Sequence, residues 1–140
     1  MNEARDTPDS DVDLLEPQIR ALFASLEHAG ELPGATAEPG RLARGEAGRE
    51  DLGTRVYFVL RVQEGRIAAV RYRAYGCPHT LATCEWLART LEGRSVAGGA
   101  LEVPGVGNPL AWSERLGLPA AKLGRLLLIE DALRAALAQA

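Results

Sequence analysis

The order of apolar and polar positions changes twice along the chain. Val12, Leu15, Ile19, Leu22, Phe23 and Leu26 recur at helical spacing. Pro17 suits the first turn of a helix, where its missing N–H costs nothing, and Gly30 is a natural stop. This predicts a helix over 16–29, with Val12 and Leu15 packing just before it. Residues 1–15 are predicted to be a polar tail and 16–140 a single domain. Residues 31–55 hold five Gly, two Pro and nine charged residues, which predicts a long flexible loop.

From residue 56 the period becomes two. Val56, Phe58, Leu60 and Val62 share one face, and Ala68, Val70, Tyr72 and Ala74 share a face of the next segment. This predicts a hairpin of 56–63 and 66–75. A three-residue loop, Gln63-Glu64-Gly65, would pair Leu60 with Ala68, Phe58 with Val70 and Val56 with Tyr72. A one-residue slip would turn half of the apolar side chains to the wrong face.

Helical spacing returns at Leu81, Cys84, Leu87, Ala88 and Leu91, predicting a helix from Cys77–Pro78 to Leu91 with Gly93 after it. Residues 95–117 are rich in Gly and Pro and predict loops with one short helix at 109–116. A last helix is expected over 119–138, burying Leu123, Leu126, Leu127, Ile129, Leu133, Ala136 and Leu137. The order of elements gives an α+β fold, with helices on one face of a small antiparallel sheet.

Composition narrows the function classes. The net charge of −3 argues against a general nucleic-acid binder, although Arg55, Arg61, Arg71 and Arg73 with Tyr57 and Tyr75 form a stripe on the outer face of the hairpin. A solvated outer sheet face explains that stripe better than RNA binding. Two cysteines make neither a disulfide framework nor a four-cysteine metal site. No apolar run reaches the roughly 20 residues of a membrane span, and the acidic start lacks the order of a signal peptide. These features predict a cytoplasmic protein with no membrane association. Lys122 is the only lysine among 16 basic residues.

Candidate chemistry concentrates at Tyr75-Gly76-Cys77-Pro78-His79. Cys77 falls where a strand ends and a helix begins, and free N–H groups with the positive helix end favour a thiolate there. Such a cysteine is a nucleophile or a metal ligand. Cys84 lies two helical turns further on, about 10.5 Å away, too far for a disulfide or a shared metal ion; its place on the apolar stripe makes it a core residue. His79, beside Cys77, is a candidate ligand or proton donor. His28 is better explained by the negative end of the first helix. No paired acid and base, phosphate loop or hydrolase elbow is present, so the chain is not read as an enzyme.

The C-terminal two-thirds resembles the IscU/NifU N-terminal (U-type) iron–sulfur cluster assembly scaffold family. The likeness runs through the hairpin with its Glu64-Gly65 turn, Tyr75-Gly76-Cys77, Glu85-Trp86, Gly93-Arg94-Ser95-Val96, Leu118-Pro119-Ala120-Ala121-Lys122 and Glu130-Asp131-Ala132-Leu133. It implies the family's fold and a place in iron–sulfur cluster assembly. The family holds its cluster with three cysteines and an aspartate, with a histidine beside the last cysteine. Here Asp51-Leu52-Gly53 stands at the family's C-G-D segment and Gly124-Arg125 at its H-C pair, so only Cys77 survives. Asp51 and His79 are the remaining candidates to join Cys77 on a metal. Arg125 would discourage a cation there and favour a thiolate.

The resemblance implies a cysteine desulfurase and an Hsp70-type chaperone as partners. Leu118, Pro119 and Lys122 belong to the segment that chaperones grip in the scaffolds. Three readings follow: a divergent scaffold or sulfur acceptor using Cys77, alone or in a homodimer sharing a cluster; a docking module without chemistry; and a zinc protein using Cys77, His79 and Asp51. An iron–sulfur cluster or iron, zinc, and no cofactor at all are the corresponding occupancies.

Overall fold

The structure, a computed structural model, describes residues 15–33, 40–96 and 108–140. The expected polar tail up to residue 14, the packing of Val12, residues 34–39 and the loops at 97–107 lie outside the described residues.

Three strands form an antiparallel meander in the order β1 (Arg41–Arg49), β2 (Thr54–Gln63) and β3 (Arg66–Tyr75). Helix α1 (Pro17–Phe23) precedes them. Helices α2 (Pro78–Leu91), α3 (Pro109–Leu116) and α4 (Leu123–Ala138) follow. The α+β layout is as the sequence predicts, and α2 and α3 match their predicted ranges.

The long loop at 31–55 is corrected, because its middle is β1. Ala43 and Gly45 face inward and are buried, while Arg44 and Glu46 point out. The alternation is there, but alanine and glycine carry it, so it does not read as an apolar period. The glycine is required. A Cβ on Gly45 would sit 2.2 Å from the Ala132 carbonyl oxygen and 2.2 Å from the Ala136 nitrogen. Helix α4 lies directly on the backbone of β1 at this point.

The hairpin forms, with a different turn. Gln63 pairs with Arg66, so the turn has two residues, Glu64 and Gly65, at φ 54° and 75°. The pairing then shifts between Arg61 and Val62: Val62 faces Ile67, but Arg61 faces Ala69. The resulting bulge leaves Ala68 exposed, not on the core face, and puts Ile67 in the core. The pairs are Leu60 with Val70, Phe58 with Tyr72 and Val56 with Ala74, each two residues from the predicted partner. The even displacement keeps Val56, Phe58, Leu60, Val70, Tyr72 and Ala74 on the predicted face, and Ala68 alone leaves it.

Helix α1 ends at Phe23 rather than at residue 29. Residues 24–33 leave it, and His28–Gly30 pair with Tyr72 on the outer edge of β3, whose Arg66–Ile67 end is paired with residues 93–95. There the Gly30 N–H donates to the Tyr72 carbonyl (2.8 Å), and the Tyr72 N–H donates to the His28 carbonyl (3.1 Å). The last helix is preceded by a 3₁₀ turn at Ala120–Lys122. One core joins the inner sheet face to the helices, with Phe58, Tyr72, Leu87, Leu91, Trp112, Ile129 and Leu133 all fully buried or nearly so. Leu127, expected inside, is exposed. No described helix is long and apolar enough to cross a membrane.

On the outer face, acidic residues answer the arginines. Arg55 pairs with Glu46 and Glu50, and Arg73 pairs with Glu31 at 3.2 Å while lying 5.1 Å from the Tyr57 ring centroid. Arg61 departs from the expected solvated face: it is buried and donates from Nη2 to the Pro33 carbonyl at 2.6 Å.

Candidate functional site

Cys77 is the N-cap of α2, with Pro78 at the first helical position. Strand β3 delivers it and the helix turns away from it, so the helix N–H groups and dipole face the thiol. Gly76 makes this junction tight, since a Cβ there would meet the Thr80 side chain at 3.1 Å. Thr80 Oγ1 lies 3.6 Å from Cys77 Sγ, and Lys122 Nζ lies 3.8 Å from it. The half-buried position raises the thiol pKa. Hydrogen bonds from the Thr80 hydroxyl and backbone, the Lys122 ammonium and the His79 N–H outweigh that and leave it below the ordinary 9.0.

The single lysine of the chain therefore stands beside its accessible cysteine. The sequence places Lys122 in a candidate docking segment; its distance from Cys77 could be read only from the fold. Leu118 is buried and anchors that segment, while Pro119, Ala120 and Ala121 are exposed on its turn. Arg125 lies in the first turn of α4 and is half-buried.

The three predicted metal donors take separate positions. His79 lies in the first turn of α2, but its Nε2 is 2.9 Å from Glu16 Oε1. The Glu16 carboxyl lies below its ordinary 4.5, because backbone hydrogen bonding, His79 and Lys122 together outweigh burial. Asp51 is exposed in the 3₁₀ turn between β1 and β2, paired with Arg49 at 2.7 Å. The pairing of Arg55 with Tyr75 brings that turn to the Cys77 end of the sheet. Among the described residues no group of three or more His, Cys, Asp and Glu is placed to hold a metal ion. Cys84 is fully buried, and burial with the Glu85 charge pushes its thiol well above the ordinary range.

A second polar cluster lies on the other side of α2. Glu85 is fully buried and takes four contacts from three residues. Its Oε1 accepts from the His28 N–H (3.0 Å) and the Tyr72 hydroxyl (3.0 Å), and its Oε2 faces His28 Nδ1 (2.7 Å) and Arg89 Nε (2.8 Å). His28 Nε2 faces Glu92 Oε1 at 3.0 Å, and Glu92 Oε2 accepts from the Val70 N–H (2.9 Å) and Arg71 Nη1 (3.1 Å). Burial opposes ionisation of both carboxyls, but these donors hold each below 4.5. His28 is thus held by two carboxylates, not by a helix end, since α1 stops at Phe23. One sequence signal pointed here: Glu85 stands between Leu81 and Ala88 on the buried side of α2, with Glu92 two turns on.

Known proteins match this chain at both levels. The model of the NifU-like N-terminal domain matches residues 16–139. The bifunctional protein NifU/MnmA of Rubrobacter xylanophilus is 39% identical over 85 residues, which are 60% of this chain and 16% of that longer protein. A NifU-like N-terminal protein from Brucella abortus superposes with a TM-score of 0.61 at 17% identity, covering 89% of this chain and 92% of that one. A protein from Fervidobacterium islandicum AW-1, described as an iron–sulfur cluster assembly scaffold for the SUF system, gives 0.62 at 15% identity over 88% of this chain and 96% of its own. At these identities the two structures speak for the fold.

Proposed function

Since the chain belongs to the NifU-like N-terminal domain family, we propose that it serves iron–sulfur cluster assembly as a divergent scaffold-type protein, with the Cys77 thiolate as its sulfur acceptor. The observation that carries this reading is the Cys77 site. It holds a helix-capping thiol below its ordinary pKa, 3.8 Å from the one lysine, at an accessible end of the sheet.

The step is a sulfur transfer. The Cys77 thiolate attacks the outer sulfur of a persulfide on a donor cysteine. The donor's S–S bond breaks, its thiolate leaves, and Cys77 carries the sulfane sulfur, with no net oxidation or reduction. Thr80 and Lys122 favour the anionic form of the attacking sulfur. The donor is a cysteine desulfurase. The exposed Pro119–Ala121 turn, anchored by Leu118 and flanked by Lys122, supports docking of an Hsp70-type chaperone. Sulfur acceptance is favoured over metal holding, because Asp51 and His79 would first have to leave Arg49 and Glu16.

The test is anaerobic incubation with a cysteine desulfurase, cysteine and iron, comparing wild type with Cys77→Ala. Mass spectrometry reads persulfide, and chemical assay reads iron and acid-labile sulfide. A persulfide on wild type and none on the variant is expected. Loading that survives in Cys77→Ala overturns Cys77 as the acceptor. No loading of either protein, with the desulfurase still bound, overturns sulfur acceptance in favour of a docking module.

A further inference from the structure

The chain has two histidines, and both join the segment around α1 to α2. His79 of α2 meets Glu16 near Cys77. His28 is held 2.7 Å from Glu85 Oε2 and 3.0 Å from Glu92 Oε1, at the far end of α2. Between α1 and β1, residues 24–33 run along the edge of β3 as a strap. Its backbone bonds to Tyr72 pass through His28 and Gly30.

The hydrogen-bond arithmetic around His28 is strict. Each ring nitrogen faces a carboxylate oxygen, and an ionised carboxylate only accepts. Both nitrogens can donate only while the imidazole carries two protons. Loss of either proton turns a nitrogen lone pair onto a carboxylate oxygen in a largely buried place, where such a mismatch is costly.

The other charged groups around His28 keep the carboxylates ionised. Arg89 of α2 donates to Glu85, and Tyr72 of β3 donates to the same carboxylate. Arg71 of β3 and the Val70 N–H donate to Glu92. On the strap itself, Ser25 donates to Glu27 and its carbonyl accepts from Arg89, while Glu31 pairs with Arg73. The imidazole, by contrast, keeps both of its contacts as donated hydrogen bonds only while it carries two protons.

We propose that His28 is a proton-dependent pin: the strap of residues 24–33 closes the edge of β3 while the imidazole carries two protons and releases that edge when it carries one. Release would uncover a strand edge able to pair with another chain, and it would loosen the segment that carries Glu16 to the neighbourhood of Cys77.

The test is amide hydrogen exchange on the full chain between about pH 5 and pH 9, corrected for the intrinsic pH dependence of exchange. The reporters are the Tyr72 and Gly30 amides, with Leu60 in β2 as the reference. In wild type the protection of the two reporters is expected to fall by up to about tenfold per pH unit once rising pH removes the second imidazole proton, while Leu60 keeps its protection. In His28→Gln the reporters should show no such fall. In Glu92→Gln, which spares the Glu85 contacts should His28→Gln not fold, the fall should shrink. Flat protection in wild type overturns the proposal, as does a fall shared with Leu60 or an unchanged fall in the variants.

Discussion

Lys122 does two kinds of work at one place, because it closes a surface turn and sets a charge 3.8 Å from Cys77 Sγ. Removing the charge while keeping the stem tests the second. Lys122→Met should slow alkylation of Cys77 by iodoacetamide at neutral pH by roughly threefold and move the midpoint of its pH–rate profile upward. Thiol alkylation followed across pH in both proteins checks this, and an unmoved midpoint would remove Lys122 from the account of Cys77. The sequence makes part of this legible. Cys77 as a helix-start thiol follows from Tyr-Gly-Cys-Pro placed between a period of two and a period of 3.6. Its partners come from 3 and 45 residues away, and no local pattern encodes the second distance. The Glu85–His28 contact spans 57 residues and was hidden for the same reason.

Among the elements, β1 and α4 depend on each other at one point. Gly45→Ala forces α4 away from the sheet, because the added carbon would lie 2.2 Å from backbone atoms of α4 that cannot rotate away. A loss of about 3 kcal/mol or more is expected in urea unfolding. Gly124→Ala is the contrast. No described atom lies within 4 Å of its added carbon, and the residue sits in the first turn of α4, so a stabilisation of up to about 0.5 kcal/mol is expected in the same assay. The strand at 41–49 shows where pattern reading fails. Small residues mark a close helix approach, and the same residues read as turn formers. The hairpin is legible in its faces but not in its register, because the shorter turn moves the pairing by one residue and the bulge at Ala68 adds a second, which returns the remaining side chains to their faces.

For the molecule as a whole, Glu16, Glu85 and Glu92 share one direction of shift. Each carboxyl lies below its ordinary 4.5 in the folded chain, so the unfolded chain binds protons first as the pH drops. Their contribution to stability is complete above 4.5 and is lost as the pH falls through the lower folded values. Thermal melts from neutral pH down to about pH 3 should show Tm falling below pH 4.5, with a shallower fall in Glu92→Gln. An equal slope in both proteins would detach Glu92 from the acid response.

A chain with one lysine has one side-chain amine, and the fold puts it beside the accessible sulfur. Reagents that seek amines and reagents that seek thiols therefore converge on a single patch. An amine-reactive photo-crosslinker mounted on Lys122 would capture whatever protein sits over Cys77, and the α-amino group at Met1 is the competing amine to be blocked first. The scarcity of lysine thus makes this chain report, through one side chain, which protein visits that surface.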